Sequence, residues 1–248
     1  MNAAHTDAHD SQNTSAEAAA ASLRGRIRPL PAETDDETFL PFLDLCFNWS
    51  TDKPRIELED LRHRSDAVFY FRDWGRDGDI AVAAHAEADA QSPIIGLAWV
   101  RLADIEDVVG KVEKQVGGDF AAALDKTGTE VVRSEVVTDG DAGAESNDAG
   151  DATAADLSPS DGRAPFTGYG WVAADIPELS MAVLPDHQGQ GIGGALLDTI
   201  CALARMSGYP AVSLSVEDGN GAAKLYADHG FVSVGRNGDS DVLVRKLG

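Results

Sequence analysis

The chain has two cysteines, Cys46 and Cys201, in 248 residues, and both lie inside apolar patterns far apart in sequence. That scarcity excludes a disulfide scaffold and fits a reduced, cytoplasmic setting. No stretch approaches the roughly 18 consecutive apolar residues of a membrane span. The first 22 residues lack a basic start followed by an apolar run, so no secretory signal is expected. Lysine is scarce, and no basic stripe interrupts a net charge of −22. Partners that demand such a stripe, nucleic acid and anionic membrane, are excluded because nothing would replace their counterions. The six histidines, His5, His9, His63, His85, His187 and His229, show no metal-ligand spacing. No metal is expected.

What is present is acid, widely spread. Residues 134–163 hold eight acids against one arginine, yet most of the surplus lies elsewhere in the chain. That segment is almost all Asp, Ala, Gly, Ser and Thr, too poor in apolar surface to offset the entropy of ordering. It is expected to be a flexible acidic insertion within a domain, since neither flank could fold alone. Residues 1–24 are expected to form a disordered arm, leaving 25–248 as a single domain.

Periodicity predicts an α/β order. Residues 26–30 alternate as a first strand, and Thr34 or Asp35 supplies a helix cap. Phe39, Phe42, Leu43, Cys46 and Phe47 then recur at helical spacing. Helical segments follow at 58–63 and 67–74, although Val68–Phe71 alone would also suit a strand. Strands at 80–84 and 94–100 form a hairpin. An amphipathic helix is expected at 104–124. Beyond the acidic segment come a strand at 178–184, a helix at 193–207, a strand at 211–217, a helix at 221–229, and strands at 231–236 and 241–246. Gly208 and Gly230 suit the helix C-termini.

The densest signal is Gln188-Gly189-Gln190-Gly191-Ile192-Gly193-Gly194, between a strand and a helix. Glycines there let a backbone approach a ligand and leave first-turn N–H groups free to bind a pyrophosphate. Gly189-x-Gly191-x-x-Gly194 matches the dinucleotide fingerprint, and Glu217 stands near where a ribose-binding acid would fall. An NAD(P) site is a distant alternative, however. Pro185–Gln188 separate the loop from its strand, and only 31 residues follow Glu217. Those hold one helix and two short strands, too few for the second half of a doubly wound sheet.

A second pattern lies in the same stretch: Gln188-x-x-Gly191-x-Gly193, then Asn220, then Leu225-Tyr226-Ala227-Asp228-His229-Gly230-Phe231. With Glu178–Pro185 ahead of it, this block resembles the GNAT superfamily of N-acetyltransferases over the C-terminal 70 residues. The likeness extends more weakly back to Ile27, and Trp74–Asp79 with Trp99 and Arg101 resemble a subgroup of small GNAT proteins without an assigned substrate. The stretch from about 104 to 167 departs from the family in its length.

The resemblance implies a mixed central sheet of six to seven strands, splayed between strands 4 and 5 and flanked by helices. It implies acetyl-CoA as acyl donor, a primary amine as acceptor, and direct attack without an acyl-enzyme, since neither cysteine falls in the loop or at the Tyr226 position. Main-chain groups of Met181, Ala182 and Val183 would hold pantetheine. Gln188 and the amides of Gly189, Gln190, Gly191, Ile192, Gly193 and Gly194 would bind the pyrophosphate, and Asn220 would contact pantetheine or cap the next helix. Tyr226 takes the general-acid position, against the plainer reading of an aromatic packing helix on sheet. Glu178 is the candidate base, against that of a surface glutamate opening a strand. His187 reads as an exposed turn residue. Trp49, Tyr70, Trp74 and Trp99 could line an acceptor pocket, although core packing explains each. Arg101 is a candidate for recognising a substrate carboxylate. The acceptor pocket is expected from residues 35–74 and 237–240, and exposed edge strands leave a homodimer open. A non-catalytic acyl-CoA or amine-binding module of the same fold is the alternative function.

Overall fold

The computed structural model describes residues 23–104 and 166–248. The helix expected at 104–124, the acidic segment at 134–163 and nearly all of the N-terminal arm lie outside the described residues. In chain order the elements are β1 (Ile27–Pro29), α1 (Leu40–Phe47), α2 (Leu58–Leu61), α3 (Ser65–Phe71), β2 (Ile80–His85), β3 (Ile94–Arg101), β4 (Glu178–Val183), α4 (Ile192–Met206), β5 (Ala211–Glu217), α5 (Ala222–Asp228), β6 (Val232–Asn237) and β7 (Ser240–Lys246). Asp35 caps a short 3₁₀ turn, Asp36–Thr38, and α1 starts one residue after it, with Pro41 in its first turn. Val68–Phe71 is helical: Tyr70 and Phe71 bury their side chains on the α3 face, where a strand would have alternated them.

The seven strands form one sheet in the order β1-β2-β3-β4-β5-β7-β6. Every neighbouring pair is antiparallel except β4 and β5, which run parallel and meet at a single register position, Glu178 with Ser213. Beyond that point the two strands separate. β3 pairs with β4 along its length, from Arg101–Glu178 to Gly96–Val183, so the long intervening segment joins neighbouring strands of one sheet. A doubly wound parallel sheet, which a dinucleotide fold would require, is excluded by this order.

Strand alternation sorts the core onto two faces. Val82, Ala84, Ala98, Val100 and Leu179 pack under α4, which contributes Ile192, Leu196, Leu197, Ile200, Cys201 and Ala204. Their offset neighbours Ala81, Ala83, Leu97 and Trp99 pack on the other face under α1 and α3, with Phe39, Leu43, Leu61, Ala67 and Tyr70. Each fully buried leucine or isoleucine contributes about 1.5–3 kcal/mol. A left-handed glycine follows the last turns of both C-terminal helices: Gly208 at φ 91° and Gly230 at φ 82°.

Arg101 fixes the far end of the hairpin. It is fully buried, with Asp79 Oδ2 at 2.8 Å and Oδ1 at 3.1 Å. Its other N–H groups donate to the carbonyls of Phe69, Arg72 and Asp73 at 2.8–3.0 Å. The guanidinium therefore closes the C-terminus of α3 and has no donor left for a ligand, which overturns the expectation of substrate recognition. Trp99 is equally buried, its indole N–H on the Tyr70 carbonyl at 2.8 Å.

Candidate active site

The separation of β4 from β5 opens a cleft of about 1060 Å³ that runs from α1 to the start of α4. β4 shows its effect in exposure: Glu178 and Leu179 are buried, whereas Ser180–Val183 are half-exposed although β3 covers their other edge. Met181, Ala182 and Val183 line the cleft, as do Gly189, Gly191, Ile192, Gly193 and Gly194.

At the cleft's glycine end, Pro185–His187 form a 3₁₀ turn and the chain then enters α4. Gln188 reaches back to the Val183 carbonyl at 3.0 Å and Gln190 to that of Asp186 at 3.3 Å, so both side chains brace the loop. Gln190, unlike its neighbours, is not among the residues that line the cleft. The four glycines serve two different needs. Gly189 and Gly191 hold left-handed backbone, at φ 71° and 79°. Gly193 and Gly194 are packing glycines: a Cβ there would lie 3.2 Å from Leu225 and 3.0 Å from the His229 ring. They let α4 pass close to α5. Gly191 is the α4 N-cap and offers no side-chain acceptor, so the first-turn N–H groups remain open. Asn220, also at the cleft, caps α5 by accepting from the Ala222 N–H at 2.9 Å.

Two hydroxyl- and thiol-bearing groups sit deep in the cleft. Tyr226 is 8% exposed, its ring 5.7 Å from Phe231. Burial, and then the neighbouring Cys46, push its phenol well above the ordinary range, so it keeps its proton. Cys46 faces the Met181 carbonyl, Sγ to oxygen 3.5 Å, and burial raises its thiol to about 12. Such a thiol is not a thiolate at neutral pH.

Glu178 is buried, not a surface residue. Its Oε1 accepts from the Tyr70 hydroxyl at 2.8 Å and from the Gly170 N–H at 2.9 Å. The Tyr70 hydroxyl accepts in turn from the Tyr169 N–H at 3.0 Å, and Tyr169 donates its own hydroxyl to Asp66 at 2.6 Å. At the opposite end of the cleft Trp49 donates its indole N–H to Glu217 Oε2 at 3.0 Å, and Lys53 pairs with Glu217 and Asp239. The segment between α1 and α2 is thus tied across the splay to the end of β5 and to the β6–β7 turn.

Residues 160–233 match the profile of the acetyltransferase (GNAT) domain. The matched stretch holds β4, the glycine loop, α4, β5 and α5, the elements around the cleft. Among solved structures, SsHAT is similar at 17% identity, covering 90% of this chain and 98% of that one, with a TM-score of 0.51. The PaiA N-acetyltransferase of Thermoplasma acidophilum, solved in complex with coenzyme A, is 14% identical over 89% of this chain and 97% of its own, TM-score 0.47. The GNAT domain of S. lividans PAT is 16% identical over 89% of both chains, TM-score 0.45. A comparison with curated proteins returns no match.

The structure brings Glu178, Met181, Ala182, Val183, Gln188, Gly189, Gly191, Ile192, Gly193, Gly194, Asn220 and Tyr226 to one cleft. Trp49 and Tyr70 join them, whereas Trp74 stacks on Phe39 at 4.3 Å away from it. His187 borders the cleft from its 3₁₀ turn. Among the described residues no group of histidine, cysteine or acidic side chains has the arrangement of a metal site. Cys46 and Asp239 line the cleft from the two stretches expected to build the acceptor pocket, Glu217 lines it without a dinucleotide fold around it, and Tyr169 is a cleft residue that sequence reasoning missed. The glycine–aromatic alternation Gly168-Tyr169-Gly170-Trp171 was the available signal for Tyr169.

Proposed function

We propose that this domain transfers an acyl group, acetyl in the simplest case, from a CoA thioester to a primary amine that attacks it directly. The observation that carries the reading is the single-position pairing of β4 and β5, which opens a cleft ending at the uncapped start of α4. A pantetheine arm fits there as an extra strand against the free edge of β4, with the pyrophosphate on the α4 first-turn N–H groups. The helix dipole adds about 0.3–1 kcal/mol to those hydrogen bonds. The match of residues 160–233 to the acetyltransferase (GNAT) profile supports the donor class.

The chain's own groups then divide the proton work. The amine nitrogen forms a bond to the thioester carbonyl carbon while a main-chain N–H of β4 donates to the oxygen. Glu178, lining the same cleft, takes the proton released from nitrogen, directly or through water. As the carbon–sulfur bond breaks, Tyr226 donates its retained proton to the sulfur and recovers it from solvent. The acceptor enters past Tyr70 and Tyr169, beside Glu178. An excess of carboxylates over the single lysine in the lining favours a cationic acceptor.

Release of free CoA thiol from acetyl-CoA, followed across a panel of primary amines, tests the reading. Amine-dependent release supports it. Tight acyl-CoA binding with no release from any amine would leave the binding module instead.

A further inference from the structure

Resting on that reading, we propose that Tyr70 is a positioning residue for Glu178, and that Gly168-Tyr169-Gly170 is a strap built to hold the same carboxylate at the cleft floor. The Tyr70 hydroxyl and the Gly170 N–H both donate to Oε1, at 2.8 and 2.9 Å, which fixes the plane of the carboxyl group. The Tyr70 hydroxyl is itself oriented, because its lone pair takes the Tyr169 N–H at 3.0 Å and its proton must therefore go to Glu178. Burial and the adjacent carboxylate raise the Tyr70 phenol well above its ordinary range, so this donor is permanent.

The strap can pass only because two of its residues lack side chains. A Cβ on Gly168, whose φ is 110°, would fall 1.9 Å from Glu178 Oε2. A Cβ on Gly170 would fall 2.4 Å from the backbone carbon of Leu214 on β5. Tyr169, between them, is pinned at both ends. Its hydroxyl is on Asp66, which pairs with Arg64, and its carbonyl accepts from Asn237 at 3.3 Å. The strap therefore links α3 to the β6–β7 hairpin across Glu178.

The groups around the carboxylate come from each packed element. Tyr70 faces it from α3, Tyr169 from the strap, Ser213 from β5 and Arg101 from β3, opposite Glu178 in the register. Arg101 is consumed by Asp79 and three carbonyls, whereas the Tyr70 proton reaches Glu178 directly. Hydrogen bonds donated to a carboxylate favour its ionised form. Tyr70 thereby keeps Glu178 able to accept a proton at the pH where the amine must lose one.

The test is Tyr70→Phe in the full chain, which keeps the ring and removes only the donor. Two readouts are needed: the pH dependence of kcat with an amine that supports wild-type turnover, and a carboxyl-carbon NMR titration of Glu178 in the free protein. The acidic limb and the titration midpoint are both expected to move to higher pH by about 0.5–1 unit. Below the limb kcat falls several-fold, with recovery at high pH and the donor KM unchanged. Glu178→Gln, which retains the oxygen that accepts both bonds, is expected to abolish the limb. Coincident midpoints in Tyr70→Phe and wild type would overturn the proposal, as would an altered donor KM with an unmoved limb. Absence of turnover with every amine would strike the acyl-transfer reading, and the NMR midpoint would still decide the role of Tyr70.

Discussion

The Cys46 thiol lies 3.5 Å from the Met181 carbonyl oxygen, inside the cleft and on the strand against which the donor is proposed to lie. A sulfur so placed invites a covalent mechanism, but its burial keeps the proton on. Cys46→Ser is expected to retain turnover, and intact-mass spectra of the wild type incubated with acetyl-CoA alone are expected to show no added acetyl group. An acetyl adduct lost in Cys46→Ser would contradict direct attack.

The same thiol makes stability depend on alkaline pH. Its folded pKa is raised from 9.0 to about 12, and that of Cys201 to about 11. The unfolded chain releases these protons first, so the folded state is favoured fully below pH 9 and loses ground as pH rises from 9 toward the folded values. Urea midpoints at pH 7.5, 9 and 10.5 are expected to fall in that order, and less steeply in Cys46→Ala. Parallel curves for the two proteins would refute the assignment to Cys46.

Tyr226 has been given the general-acid role, which costs roughly 10²–10⁴ in rate when lost. Tyr226→Phe keeps the contact with Phe231, so thermal stability should change little while kcat falls by that order. An unchanged kcat would return Tyr226 to a packing residue.

Arg101 was open to a ligand role on sequence and is structural in the fold. Removing it leaves buried Asp79 with only the longer Arg76 pair, at 3.8 Å, and takes the guanidinium donor from three carbonyls. Arg101→Ala is expected to destabilise the protein by about 3–5 kcal/mol in chemical denaturation. Arg101→Lys should recover only part of this, because one ammonium cannot replace a fork of donors.

Much of this architecture was legible because its signals are local. The Glu178–Val183 strand, the β5 boundaries and the capping glycines follow from alternation and left-handed turns that involve few residues. The cleft's glycine end was legible for the same reason, since glycine spacing within seven residues reports the backbone directly. The acceptor side was not. Tyr70 meets Glu178 across 108 residues and Trp49 meets Glu217 across 168, and no periodicity encodes such pairings. Even the glycines misled in part, because Gly193 and Gly194 serve helix packing as well as any ligand.

The most direct measurement is a structure of the chain crystallised with CoA. The account predicts the pantetheine arm threaded between β4 and β5 and paired with Met181–Val183. It also predicts the pyrophosphate on the N–H groups of Ile192, Gly193 and Gly194, and the sulfur within hydrogen-bond reach of Tyr226. CoA bound elsewhere, or a splay that stays empty at saturating CoA, would contradict it.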